Sequence, residues 1–105
     1  MSYTVEITAQ AEEDIRSIFE YIAYKLKSYQ NAVGQIERLE KNILGLNEMP
    51  ERYVIYAKEP WHSRGLRTMP VDNYLVFYIP YDDAKTVKII RVMYGGRDID
   101  TQLNK

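Results

Sequence analysis

The chain has 105 residues, of which 46% are hydrophobic and 28% are charged, and its formal net charge is -1. This composition is close to the globular average, so it indicates one folded domain and excludes a disordered or fibrous chain. The absence of cysteine excludes disulfides, a thiolate nucleophile and a zinc site built on sulfur. Because the opening residues are neither basic nor apolar, we expect a cytoplasmic protein without a membrane segment.

The first half of the chain predicts one strand followed by two helices. Apolar and polar residues alternate over residues 3–7, which is the pattern of a strand with one buried face. Apolar residues then recur at helical spacing, which predicts a helix from residue 9 to about residue 25. Ser28 is expected to cap a second helix that ends before Pro50. The apolar stripe of this second helix consists of Tyr29, Ala32, Ile36, Leu39, Ile43 and Leu46.

The second half predicts three consecutive antiparallel strands. Residues 66–71 and 74–79 flank Asp72-Asn73, a pair that suits a two-residue hairpin turn. A further turn at residues 82–85 leads into a strand over residues 86–94, which Gly95-Gly96 ends. We expect a short, frayed tail after Asp100. The whole chain, residues 1–105, is therefore predicted to form a single α+β domain of order β-α-α-β-β-β. In it, a helical hairpin packs on one face of a small, mainly antiparallel sheet and leaves the other face free.

Aromatic and basic residues of the second half supply the candidates for binding. Ten residues of the chain are tyrosine, a side chain that suits recognition surfaces, although most of them are expected to pack. The predicted binding residues are Trp61, Arg64, Tyr74 and Tyr78. A local basic cluster is predicted to contact a phosphate or an acidic partner and comprises Arg52, Lys58, His62, Arg64 and Arg67.

Two arginines are candidates for chemistry. Arg67 lies on the first strand of the meander and Arg97 follows the last one, so a sheet could bring both guanidinium groups to one edge and clamp a phosphate or carboxylate. The alternative is that Arg97 pairs with a neighbouring carboxylate such as Asp98 and only braces the end of the sheet. With a single histidine and no cysteine, we expect neither a metal nor a cofactor.

The element order resembles that of the RelE/ParE superfamily of bacterial toxins, in particular its ParE-like and plasmid-stabilisation branch. The resemblance rests on residues 65–67, 73–78 and 90–98, with Ala11, Asp14 and Ile15 in the first helix, and it spans nearly the whole chain. It implies a type II toxin-antitoxin module, in which a toxin stops growth until a cognate antitoxin wraps it. RelE-like members cleave mRNA on the ribosome, whereas ParE-like members poison DNA gyrase and cleave nothing.

The resemblance also implies a set of site residues for the RelE-like reaction. Arg67 and Arg97 match two of its basic positions, but a third falls on Tyr74 and the expected C-terminal tyrosine falls on Leu103, although Tyr94 is a possible substitute. A sequence pI near 5.8 does not favour docking on RNA. We therefore expect a ParE-like growth inhibitor that acts on gyrase. The alternatives are a ribonuclease that uses Arg67, Arg97 and Tyr94, or a degenerate member that only binds its antitoxin.

Overall fold

The computed structural model describes residues 2–96 and 98–104. Strand β1 is followed by two long helices, and a π-helical turn at Tyr21–Lys25 ends the first of them. The elements are β1 (Thr4–Ile7), α1 (Ala9–Glu20), α2 (Tyr29–Leu44), α3 (Trp61–Arg64), β2 (Arg67–Val71), β3 (Tyr74–Tyr81), β4 (Thr86–Tyr94) and α4 (Ile99–Leu103). The predicted α+β class and the order of the main elements are confirmed.

The strands form one sheet in the order β1-β4-β3-β2. Strand β1 runs parallel to β4, and the other two pairings are antiparallel, so the sheet is mainly antiparallel as predicted. The hairpin between β2 and β3 turns at Asp72-Asn73, where Asp72 has a φ of 55°. Aspartate tolerates this left-handed conformation better than most residues, which explains why the turn could be recognised from the sequence.

The main core lies between the two long helices and one face of the sheet. The predicted stripe of α2 supplies Ala32, Leu39 and Ile43 to it, whereas Tyr29 remains 64% exposed. Ser28 occupies the cap position of α2, but its side chain makes no capping hydrogen bond, so this prediction was wrong in its detail. Thr8 does cap α1, because its hydroxyl accepts a hydrogen bond from the Ala11 amide.

The second face of the sheet is covered, contrary to the prediction that it is free. A second cluster of buried side chains lies there and consists of Leu66, Phe77, Ile79, Met93 and Leu103. The tail is not frayed, because α4 packs Leu103 into this cluster and leaves it only 6% exposed. Asp98 caps α4 by accepting a hydrogen bond from the Thr101 amide. Among the helices of the described residues, none is long and apolar enough to cross a membrane.

Candidate functional site: a groove between the helices and the sheet

A groove of about 820 Å³ lies between the helical side of the molecule and the ends of β3 and β4. Tyr74 and Tyr94 form its sheet side, because β3 begins and β4 ends there and the two residues are directly paired. Their rings make an edge-to-face contact with centroids 5.9 Å apart. Burial raises the pKa of Tyr74, while Tyr94 is 51% exposed. The structure thus brings together two of the predicted site residues.

Asp14, which lines the groove, forms a largely buried ion pair with Arg91, which lines a separate pocket beside Gln102. Arg91 donates two hydrogen bonds to the Asp14 carboxylate, from Nε to Oδ2 at 2.7 Å and from Nη2 to Oδ1 at 3.0 Å. Asp14 also accepts a hydrogen bond from the Val92 amide at 3.0 Å, and Arg91 donates to the Gln102 carbonyl of α4 at 3.1 Å. The side chains of Arg91 and Asp14 are only 17% and 10% exposed. This network therefore joins α1, β4 and α4.

Sequence patterns alone do not identify Asp14 and Arg91 as part of a site. The available signal was the helical spacing of Ala11, Asp14 and Ile18, which places an acidic residue on the buried stripe of α1. Arg91, on β4, gave no comparable signal. The pairing of β3 with β4 is interrupted beside it by a register shift between Phe77 and Tyr78. Such an irregularity changes where a side chain points, which strand alternation does not reveal.

A second ion pair ties the groove to the β2–β3 turn. Asp72 accepts hydrogen bonds from Arg38 Nε at 2.7 Å and from Gln35 Nε2 at 3.0 Å, and both donors lie on α2. The bond from Arg38, followed by that from Gln35, lowers the pKa of the Asp72 carboxyl. Since Asp14 and Arg38 are both paired, the groove presents mainly aromatic, amide and aliphatic groups. It suits a protein segment better than a polyanion.

Arg67 lies apart from the groove and is held by main-chain carbonyls. Its Nη1 donates to the carbonyl of Glu51 at 2.9 Å and to that of Tyr53 at 2.6 Å. Arg67 pairs with Tyr78, which lies near the middle of β3. Tyr74, the first residue of β3, pairs with Tyr94. The two positions on β3 are about 13 Å apart along the strand, so Arg67 and Tyr94 do not converge on one reacting group.

Tyr78 is a core residue and not the binding residue that was predicted. Its side chain is fully buried and its hydroxyl donates a hydrogen bond to the Pro50 carbonyl. Burial raises its pKa to about 12. Leu103 likewise offers no acid or base, because it is an apolar residue in the second cluster. Arg97, the remaining predicted catalytic residue, lies outside the residues that the structure describes.

Trp61 and Arg64 form a separate aromatic and cationic pair on α3. The Arg64 guanidinium lies 4.8 Å from the centroid of the Trp61 ring, and the indole N–H donates to Asn104 Oδ1 at 3.2 Å. This pair therefore lies beside the end of α4, away from the residues that line the groove.

Several members of the predicted basic cluster are engaged by groups of this chain. The pKa of Asp98 is lowered first by hydrogen bonds from Thr101 and then by the positive charge of Lys58. His62 Nδ1 lies 3.9 Å from a Glu59 carboxylate oxygen, and Arg52 donates to the carbonyls of Glu48 and Met49. Within residues 2–96 and 98–104, no group of acidic residues or histidine is arranged to hold a metal ion.

Comparison with known proteins relates this architecture to a family. Residues 5–99 match the family model described as the ParE toxin of the type II toxin-antitoxin system parDE. A comparison with curated proteins gives no match.

Several solved structures share the fold at low sequence identity. The chromosomal ParDE system of P. aeruginosa is 16% identical, with a TM-score of 0.72 over 89% of this chain and 96% of that chain. The RelBE2 toxin-antitoxin complex of Mycobacterium tuberculosis is 21% identical, with a TM-score of 0.67 over 90% and 92%. A mutant of E. coli RelE in the free state is 16% identical, with a TM-score of 0.64 over 99% and 92%. Because the family match spans nearly the whole chain, this protein belongs to the ParE toxin family of type II toxin-antitoxin systems, within the RelE/ParE superfamily.

Proposed function

We propose that this toxin acts in the cytoplasm by binding DNA gyrase, that it cleaves no nucleic acid itself, and that a cognate antitoxin neutralises it. Family membership supports the role of growth inhibitor. The choice of a protein target rests on one observation, which is the dispersion of the residues that a ribonuclease site would need.

Cleavage of RNA requires several positioned cations around the phosphate and a titratable group within hydrogen-bond reach. Here Arg67 is engaged with main-chain carbonyls, and Tyr94, the last residue of β4, pairs with Tyr74, four residues along β3 from the partner of Arg67. The position expected for the C-terminal tyrosine is the buried Leu103. Binding to a protein surface has no such requirement, because exposed aromatic side chains with a polar rim provide affinity. Several tyrosines of this chain are exposed and fit that role.

An antitoxin partner is supported by the relatives. The M. tuberculosis structure is that of a toxin-antitoxin complex, and the P. aeruginosa structure is described as a ParDE system. We propose that the groove receives a segment of the antitoxin of this chain. Helices and extended segments commonly dock in such grooves by burying a few apolar anchors.

Pulse labelling after induced expression without antitoxin tests the target. We expect thymidine incorporation to fail before amino-acid incorporation, and purified protein to inhibit supercoiling by gyrase. The Glu40→Gln variant, which changes an exposed residue of α2, is a matched control and should behave as the unmodified chain does. Earlier loss of protein synthesis, together with cuts in ribosome-bound mRNA, would instead assign the toxin to the ribosome and return Arg67 and Arg97 to a catalytic role.

A further inference from the structure

The turn between α1 and α2 exposes an unusual number of large apolar side chains. Four of them lie within nine residues of each other: Tyr21 is 53% exposed, Tyr24 69%, Leu26 57% and Tyr29 64%. We refer to these four residues, with Lys25 and Lys27, as the hairpin-tip surface. Tyr21 and Leu26 also line the groove, so the two surfaces are continuous. Large apolar side chains exposed close together are typical of interaction sites.

The π-helical turn is the reason that Leu26 is exposed. Ala11, Ile18 and Ile22 form the buried stripe of α1, and helical spacing would continue it at residue 25 or 26. In the structure, the Leu26 amide donates to the Tyr21 carbonyl at 3.0 Å, a bond that closes a wider turn than that of an α-helix. Lys27 then takes a left-handed conformation with a φ of 56°. Turns of this kind are rare and occur frequently at functional sites.

Contacts with neighbouring residues hold the tip at Tyr29. The Tyr29 ring makes an edge-to-face contact with Phe19 at 5.7 Å, and the Ser28 amide donates to the Ile22 carbonyl at 3.1 Å. A fixed aromatic side chain loses little conformational entropy on binding, so it suits an anchor in a protein interface.

The charge of the tip indicates the chemistry of its partner. Residues 21–36 contain Lys25 and Lys27 and no carboxylate, although the whole chain carries a net charge of -1. Both lysines are exposed, and the ion pairs of the described residues involve neither of them. Lysines at the rim of an interface attract acidic partners and increase the rate of association. The complementary surface is therefore acidic at its edge and has apolar recesses for tyrosine and leucine.

We propose that the hairpin-tip surface is the contact site for the target protein, through an acidic and partly apolar patch of that protein. This inference rests on the proposed function and adds the surface that performs it. In this arrangement Tyr24, Leu26 and Tyr29 are the anchors, and Lys25 and Lys27 steer the encounter.

Binding of purified gyrase to immobilised toxin tests the proposal. A Tyr24→Ser and Leu26→Ser double variant is expected to weaken binding on the order of tenfold or more, with a similar loss of growth inhibition. The matched control carries Leu44→Ser and Val54→Ser, since these residues are 61% and 74% exposed but lie outside the tip. Because all four side chains are exposed, the unfolding midpoints of both variants should stay close to that of the unmodified chain.

A charge-reversal variant makes the test independent of the apolar changes. Lys25→Glu with Lys27→Glu should lower the association rate and flatten its dependence on salt. If the tip variants and the control bind gyrase equally well, the hairpin-tip inference is wrong but the proposed function still stands. Tip variants that still inhibit gyrase but escape antitoxin would also overturn it and assign the surface to the antitoxin. Failure of the unmodified chain to bind gyrase would overturn the proposed function itself.

Discussion

The ion pair between Arg91 and Asp14 offers the sharpest test of how the fold is held together. In the Asp14→Asn variant the shape of the side chain is kept and its charge is removed, so the Arg91 guanidinium is left without a counter-charge at 17% exposure. Breaking a buried pair from one side costs about 3 kcal/mol or more. For a domain of this size, that loss corresponds to a decrease in unfolding midpoint of roughly 12 °C or more.

Thermal and urea denaturation of matched variants measure this cost. Arg38→Ala breaks the pair with Asp72, whose side chains are 55% and 42% exposed, and should cost only about 0–1 kcal/mol. An apolar double variant, Asp14→Leu with Arg91→Met, should lose less than either single change because no buried charge remains. It should not recover fully, since the Val92 amide loses its acceptor. Equal and small losses for Asp14→Asn and Arg38→Ala would refute the reasoning.

Three further predictions concern single side chains. Because hydrogen bonds from Arg38 and Gln35 lower the pKa of Asp72, its stabilising effect is complete above the unfolded pKa of about 4 and is lost as the pH falls through the folded value. The stability difference between the unmodified chain and Asp72→Asn should therefore shrink below about pH 4 in denaturant titrations, and a constant difference would contradict this. Tyr78→Phe should cost about 1–2 kcal/mol by leaving the buried Pro50 carbonyl without its donor, and a neutral result would contradict the stabilising role of this hydrogen bond. Leu103→Ala should cost about 2–4 kcal/mol and shift the emission of Trp61, whose indole bonds to Asn104 beside α4, and unchanged emission would show that α4 stays docked.

Local sequence patterns determined most of the secondary structure. The spacing of Leu39 and Ile43 defines the buried face of α2, because the period of the helix fixes which side chains share a face. Asp72 at the turn defines the β2–β3 hairpin for a similar reason, since few residues accept its backbone conformation. The order of these elements, together with the motifs over residues 65–67, 73–78 and 90–98, indicated the family whose model residues 5–99 match.

Only the tertiary structure decided which distant groups meet. Asp14 and Arg91 are 77 positions apart in the chain, and no local period relates them. A five-residue helix such as α4 is too short to be stable alone, so it forms because Leu103 is buried against the outer face of the sheet.

In the candidate site, too, the sequence indicated individual residues and the tertiary structure decided where they lie. The sequence identified Tyr74, Tyr94 and Arg67 as residues of interest, but packing placed the two tyrosines at the groove and bound Arg67 to the carbonyls of Glu51 and Tyr53. Periodicity indicated a helix to about Lys25 but not the π-helical turn at Tyr21–Lys25, after which Leu26 is exposed. Local periodicity thus fixed the faces of the elements. The pairing of the strands, the burial of charges and the exposure of the hairpin tip depended on how those faces pack together.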